Sequence, residues 1–276
     1  MSHASPKPTG STHPRSILKP YRRPGLFITG TATDIGKTTV TAALAGAFHT
    51  LGVRVGICKP IATGCPIRPG LDHRTSPTDD DLLSPDIEIS ARAAGLGTVD
   101  QTLMRAMSPL RYAAPVSPHL AARVEQRPPN WHRVAEAFDF WEDSCDVLLV
   151  EGAGGWMVPL DDHDFTIADL ATILHLPVIV VTNAQLGTLN YTHLTVSAVR
   201  QRGLVVGGLV INRVPAKRDL VISSNLEELP RFCAAPLRAV FAETGDIRSA
   251  GVPADFIESL APFARQWWDL ARAKEE

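Results

Sequence analysis

The segment of residues 30–38, Gly-Thr-Ala-Thr-Asp-Ile-Gly-Lys-Thr, constrains the fold of this chain more than any other feature. It lies between a short apolar run and an Ala-rich stretch, residues 38–51, with the composition of a helix. Glycines let the backbone wrap a phosphate closely, and the amino terminus of the following helix adds partial positive charge. The segment therefore predicts a phosphate-binding P-loop, in which Lys37 reaches the β- and γ-phosphates and the Thr38 hydroxyl ligates Mg²⁺.

Short apolar runs alternate with helical patterns along the rest of the chain. The runs that predict strands lie at residues 26–29, 53–58, 147–150, 177–181 and 206–211, with a sixth candidate at 237–241. Nearly continuous apolar strands separated by helices are typical of a parallel sheet covered on both faces. We therefore predict an α/β fold of the P-loop NTPase type, doubly wound around a mainly parallel β-sheet with helices on both faces.

Residues with useful chemistry directly follow several predicted strands, namely the glycine loop, Lys59, Glu151 and Asn212. Because ligands of such folds bind beyond the carboxyl ends of the strands, we expect these residues to share one site. Magnesium prefers oxygen ligands, which Glu151 and one aspartate of the acidic cluster at residues 79–81 can supply. Two alternatives stay open at this point: the cluster is a solvated run of charge, and Lys59 is a surface lysine.

The first 24 residues are rich in Pro, Ser, Thr and basic residues, contain no acid, and lack the apolar core of a secretory signal. We predict a disordered extension over residues 1–24, followed by a single P-loop α/β domain over residues 25–276.

Composition excludes several partners. The net charge of -2 gives no electrostatic reason to bind nucleic acid or an anionic membrane. No apolar run approaches the roughly 20 residues of a membrane-spanning helix. The four cysteines form no CxxC pair, which favours reduced thiols in a cytoplasmic protein.

Five segments, in order along the chain, carry a resemblance to the dethiobiotin synthetases. They are TGTATDIGKT, CKPIATG, APVSPHLAA, VEGAGGWMVPL and LGTLNYTHLT, and the match continues to Asn212. The resemblance implies a cytoplasmic ligase of biotin biosynthesis, a homodimer with the substrate site across its interface. The implied reaction is the ATP-dependent carboxylation and ring closure of 7,8-diaminononanoate (7,8-diaminopelargonate) with CO₂. It yields dethiobiotin, ADP and phosphate through a carbamate and a carbamic–phosphoric anhydride.

The resemblance also implies roles for the residues at matching positions. The catalytic residues are Lys37, Lys59 and Thr38. The ATP contacts are Thr33, Asp34, Ile35, Gly36, Lys37, Thr38, Thr39 and Asn212. The substrate contacts are Thr33, Lys59, Thr63, Gly152, Gly155 and Asn190, the last reaching the substrate carboxylate in the partner subunit. The Mg²⁺ ligands are Thr38, Glu151 and one acid of the cluster, with Asp81 preferred over Asp80.

The chain departs from the family pattern at Asp34, where members often have Glu, and at one longer segment. Two other classes of P-loop protein compete with the resemblance. Residues 239–242, Ala-Val-Phe-Ala, replace a Gly-x-x-Pro-like segment beside the adenine in many members, which bears on base selectivity. A deviant-Walker ATPase switch carries a second lysine early in the P-loop, where Thr31 and Ala32 stand here. The synthetase half of an amidotransferase needs a glutaminase domain with a catalytic Cys–His pair, for which 276 residues leave no room.

Overall fold

A computed structural model describes residues 13–71 and 77–273. The helices are α1 (Pro14–Ile17), α2 (Lys37–Thr50), α3 (Pro85–Ala93), α4 (Gln101–Met107), α5 (Pro118–Val124), α6 (Trp131–Ser144), α7 (Ile167–Leu174), α8 (Thr188–Gln201), α9 (Leu220–Phe232), α10 (Ile247–Ala250) and α11 (Ala254–Arg272). The strands are β1 (Gly25–Gly30), β2 (Val55–Cys58), β3 (Ile61–Ala62), β4 (Leu110–Arg111), β5 (Val147–Gly155), β6 (Val178–Thr182), β7 (Val206–Val214) and β8 (Leu237–Ala242).

Six strands form a central sheet in the order β2-β5-β1-β6-β7-β8. Every neighbouring pair in it is parallel. The α/β prediction with a mainly parallel sheet is thus confirmed, and all six predicted strands are present within a few residues of the expected bounds. Because the strands run in one direction, their carboxyl ends share a single edge. The chemistry-bearing residues that follow them are brought to that edge.

Helices cover the sheet, as its burial pattern requires. The consecutive residues Leu26, Phe27 and Ile28 in β1 are all fully buried. Successive side chains of a strand point to opposite faces, so both faces of the sheet are shielded from water there. No helix within the described ranges is both long and apolar enough to cross a membrane.

The segment before β1 differs from the predicted extension over residues 1–24. Leu18 and Tyr21 are buried in the hydrophobic core, and the Tyr21 amide donates to the Leu174 carbonyl at 3.2 Å. Arg15 reaches the buried Asp169 at 2.6 Å. Residues 13–24 therefore pack on the domain, because their few apolar side chains find a surface that composition does not reveal. Residues 1–12 lie outside the described residues.

The single domain predicted over residues 25–276 stays a prediction. Its last three residues, 274–276, and residues 72–76 also lie outside the described ranges.

The packing of the amino-terminal segment can be tested by substituting Tyr21. Tyr21→Ala removes a buried ring that lies against Phe138, with ring centroids 6.3 Å apart. We expect the free energy of unfolding to fall by about 3 kcal/mol, as for other buried aromatic residues. Lys19→Ala alters an exposed neighbour and should change it by less than about 0.5 kcal/mol. Equal unfolding energies for the two variants, measured by denaturant titration, would contradict this packing.

Candidate active site

A cavity of about 450 Å³ lies at the carboxyl ends of the central strands. Lys37 and Thr38 enter it from the first turn of α2, Lys59 from the end of β2, Glu151 from β5 and Asn212 from β7. These residues are far apart in sequence and meet because the order β2-β5-β1-β6-β7 places the ends of their strands along one edge of the sheet. The expectation that strand-end residues share one location therefore agrees with the geometry.

The glycine loop closes tightly on itself and on β7. Gly36 has a φ of 95°, and a Cβ added there would lie 1.8 Å from the Asn212 Nδ2 atom. That amide nitrogen donates to the Ile35 carbonyl at 3.0 Å. Only glycine fits both the left-handed backbone and the close approach of Asn212. The loop conformation and the position of Asn212 are therefore coupled.

Lys37 lies folded against the same loop. Its Nζ atom donates to the Ala32 carbonyl at 3.2 Å, and the residue is buried. Burial lowers the pKa of Lys37; Glu151 opposes this shift and Lys59 adds to it. A buried ammonium with one neutral acceptor is incompletely solvated, so an anion in the cavity would bind it favourably.

Glu151 is the centre of a buried polar cluster. Its Oε1 atom accepts a hydrogen bond from Thr38 Oγ1 at 2.8 Å and another from Lys59 Nζ at 3.0 Å. Lys59 also donates to Asp86 Oδ2 at 2.5 Å. Burial alone would lower the pKa of Lys59, but Glu151 and Asp86 raise it above its ordinary value. Burial would raise the pKa of Asp86, yet Lys59 and Arg248 bring it below its usual range.

The oxygen groups around this cavity suit a magnesium ion. Thr38 contributes a hydroxyl, and Glu151 and Asp86 contribute carboxylates. Within the described residues no group of three or more His, Cys, Asp or Glu side chains could hold a metal. Mg²⁺ sites usually combine one or two carboxylates with substrate phosphates and water.

The acidic cluster at residues 79–81 does not lie at the cavity, so the expectation for Asp81 and Asp80 needs correction. Asp80 pairs with Arg105 at 2.7 Å and Arg133 at 3.1 Å, and the Arg105 hydrogen bond heads the interactions that lower its pKa to about 2. The Asp81 carboxylate accepts hydrogen bonds from Thr78 in a capping box. Both carboxylates are engaged elsewhere.

The acid that lies at the cavity instead is Asp86, in the first turn of α3. Asp86 was not predicted as a site residue. The available signal was Ser84-Pro85-Asp86, because Ser before Pro commonly begins a helix.

The other expected site residues fall into three groups. The residues that line the cavity are Thr33, Asp34, Gly36, Lys37, Thr38, Thr39, Lys59, Thr63, Glu151 and Asn212. Ile35 is buried behind the loop, and Gly152 and Gly155 flank the lining residues Ala153 and Gly154. Asn190 lies away from the cavity, exposed in the first turn of α8.

One wall of the cavity was not expected from the sequence. Arg213, near the end of β7, and residues 244–248, which follow β8, line it. The unusual residues 239–242 all lie within β8, so the segment that faces the cavity is the one that follows.

The chain is similar to several known proteins. Over residues 24–247 the chain matches a family model described as an AAA domain. It is 40% identical over 248 residues to the ATP-dependent dethiobiotin synthetase BioD of Streptomyces coelicolor, covering 89% of this chain and 95% of that one. It is 36% identical over 247 residues to the protein of the same name from Rhodococcus jostii, covering 88% and 94%. A solved ParA family ATPase from Chlorobium tepidum aligns with a TM-score of 0.46 and 16% identity, over 91% of this chain and 98% of that one.

The close contact at Gly36 gives a test of the phosphate-binding loop. Gly36→Ala places a Cβ in the space of the Asn212 amide, so we expect Mg–ADP binding to be lost. Gly52→Ala is the matched control, because Gly52 also has a positive φ, 75°, but nothing within 4 Å of an added Cβ. It should cost about 1 kcal/mol of stability and leave binding intact. Calorimetry on both variants checks this, and normal ADP affinity in Gly36→Ala would contradict the loop geometry.

Proposed function

The chain belongs to the family of ATP-dependent dethiobiotin synthetases, and from that premise we propose that it converts 7,8-diaminononanoate, CO₂ and Mg–ATP to dethiobiotin, ADP and phosphate. The observation that carries the proposal is the convergence of Lys37, Thr38, Lys59 and Glu151 on one cavity. The reaction concentrates negative charge on a carbamate and on a transferring phosphoryl group. It needs fixed cations and backbone N–H groups around a single point.

The nucleotide occupies the loop side of the cavity in this proposal. Lys37 exchanges the Ala32 carbonyl for the β- and γ-phosphates, and the amides at the start of α2 bind the same oxygens. Asn212 donates through Nδ2 to the Ile35 carbonyl, while its Oδ1 atom accepts no hydrogen bond from the described part of the chain. That oxygen can accept a hydrogen bond from the amino group of adenine.

Lys59 acts as a fixed positive charge in this mechanism. Its raised pKa keeps the ammonium protonated between Glu151 and Asp86, so it does not serve as the base that deprotonates the diamine. One substrate amine attacks CO₂ and loses a proton to form a carbamate. A carbamate oxygen then attacks the γ-phosphorus and displaces ADP, which gives a carbamic–phosphoric anhydride. The second amine attacks the anhydride carbon, loses a proton, closes the cyclic urea and expels phosphate. Lys59 stabilises the negative charge on the carbamate and on the phosphate that leaves.

In this proposal Thr38, Glu151 and Asp86 would hold Mg²⁺, which would neutralise part of the phosphate charge. Asp86 takes the role of metal ligand that was predicted for Asp81 or Asp80. Its support is that Asp86 lines the cavity and contacts Lys59, whereas the other two carboxylates are paired outside it.

The substrate side of the site extends beyond the subunit. Thr33 and Thr63 offer hydroxyls to the diamine, and Gly152–Gly155 backbone groups lie beside it. We place Asn190 against the substrate carboxylate of the partner subunit in a cytoplasmic homodimer. Supporting this, the neighbouring Leu186 and Leu194 are 85% and 60% exposed, as expected of a surface that a second subunit covers.

A product assay tests the function. Dethiobiotin detected by mass spectrometry should require diaminononanoate, bicarbonate and Mg–ATP together. Lys59→Ala should lower kcat by about 100-fold or more through loss of the fixed charge. Lys217→Ala, which alters an exposed lysine outside the cavity, should leave kcat unchanged. ATP hydrolysis that ignores the diamine, or a normal rate in Lys59→Ala, would reject the assignment.

The metal site can be tested separately with two aspartates. Asp86→Asn should raise the Mg²⁺ concentration for half-maximal activity, and for ADP binding, on the order of tenfold or more. Asp81→Asn should leave both Mg²⁺ titrations unchanged, because that carboxylate contacts Thr78. The reverse pattern would return the metal ligand to the acidic cluster.

A further inference from the structure

The segment after β8 is joined to the phosphate side of the cavity by one arginine. Arg248, in the short helix α10, reaches Asp86 Oδ1 through its guanidinium at 3.3 Å. Within the described chain, the other hydrogen bonds of residues 244–251 stay within α10 and its cap. Arg248 is therefore the side chain that connects this wall to the residues around Lys59.

Asp86 lies between two cations. Its Oδ2 atom accepts from Lys59 and its Oδ1 atom faces Arg248. The Lys59 side chain is only 11% exposed, whereas the Arg248 side chain is 62% exposed. Of the two, Arg248 is the one free to change its contact without leaving a buried charge unpaired.

The balance of charge changes when the nucleotide binds. The charged side chains that line the cavity are the cations Lys37, Lys59, Arg213 and Arg248 and the carboxylates Asp34, Asp86, Glu151 and Asp246. Mg–ATP carries net negative charge, so its binding favours a cation that is released from its carboxylate. A carboxylate that binds a divalent ion also gives up the contact with the cation that it held before. Guanidinium, with its fork of donors, is well suited to bind phosphate.

We propose that Arg248 is a phosphate-binding residue of this nucleotide site, which Asp86 holds in place until the Mg–nucleotide binds. The inference rests on the proposed function only in taking the cavity as a Mg–nucleotide site. It identifies a cation that lies beyond Asn212, where the sequence motifs end. It also assigns phosphate binding to the wall formed by residues 244–248.

Calorimetric binding of Mg–ADP at saturating Mg²⁺, without diamine or bicarbonate, tests the proposal. Arg248→Gln should weaken ADP binding about tenfold, as expected for loss of a charged hydrogen bond. Arg248→Lys keeps the charge and should bind ADP more tightly than Arg248→Gln. Arg231→Gln is the matched control. It removes an exposed arginine that pairs with Glu228 and does not line the cavity, so its affinity should stay within about twofold of the parent.

A double-substitution cycle separates a phosphate contact from an effect through Asp86. In the Asp86→Asn background, Arg248→Gln should still weaken ADP binding about tenfold. If its effect disappears there, Arg248 acts only by neutralising Asp86 and the proposal is overturned. It is also overturned if Arg248→Lys binds no better than Arg248→Gln.

Folding and enzymatic activity are measured separately from this cycle. Without nucleotide, the thermal unfolding midpoint of Arg248→Gln should match that of the parent. Arg248→Lys supplies the comparison of charge should the glutamine variant fail to fold. Dethiobiotin formation by the parent protein is a separate assay. Its failure would reject the proposed function and leave the ADP result standing, and the converse also holds.

Discussion

A single carboxylate oxygen, Oε1 of Glu151, organises the site by accepting hydrogen bonds from both Thr38 and Lys59. These donors follow two strands, β1 and β2, that lie on either side of β5. The strand order is thus a condition for the contact. An insertion of another strand between them would separate the P-loop from Lys59 by about 5 Å for each strand spacing. The fold matters for function because it fixes this adjacency.

Burial makes these contacts costly to break. Glu151 is 1% exposed, and removing one member of a buried ion pair typically costs about 3 to 5 kcal/mol because the other charge is left uncompensated. Lys59 must therefore always have an anionic neighbour, whether a protein carboxylate or a ligand. Lys37, with only the Ala32 carbonyl in the described structure, has a weaker partner to exchange for a phosphate. Such a cluster is arranged to exchange its partners with little loss of stability.

Local sequence predicted the parts of this site that depend on local rules. Apolar runs located β1, β5 and β7, and a polar residue at a strand end indicated Lys59, Glu151 and Asn212. Asp86 was not predicted because its place in the site depends on a contact with Lys59, 27 residues away in the sequence. The metal ligand was predicted in the acidic run at residues 79–81 instead. The arginine partners that engage this run come from α4 and α6, which are distant in sequence, so the local sequence does not reveal them. The packing of Tyr21 is likewise a tertiary fact that the Pro-rich composition around it conceals.

The two sides of the cavity are under different constraints. The phosphate side follows β2, β5 and β1, and it depends on a glycine that no other residue can replace and on charges that must be paired. The other wall follows β7 and the edge strand β8, and its residues 243–249 are mostly exposed. Exposed positions tolerate substitution because few contacts are lost. The family motifs accordingly end at Asn212, and the unusual residues 239–242 lie in β8. The edge of the sheet at β8 is therefore less constrained than the buried charged cluster near its centre.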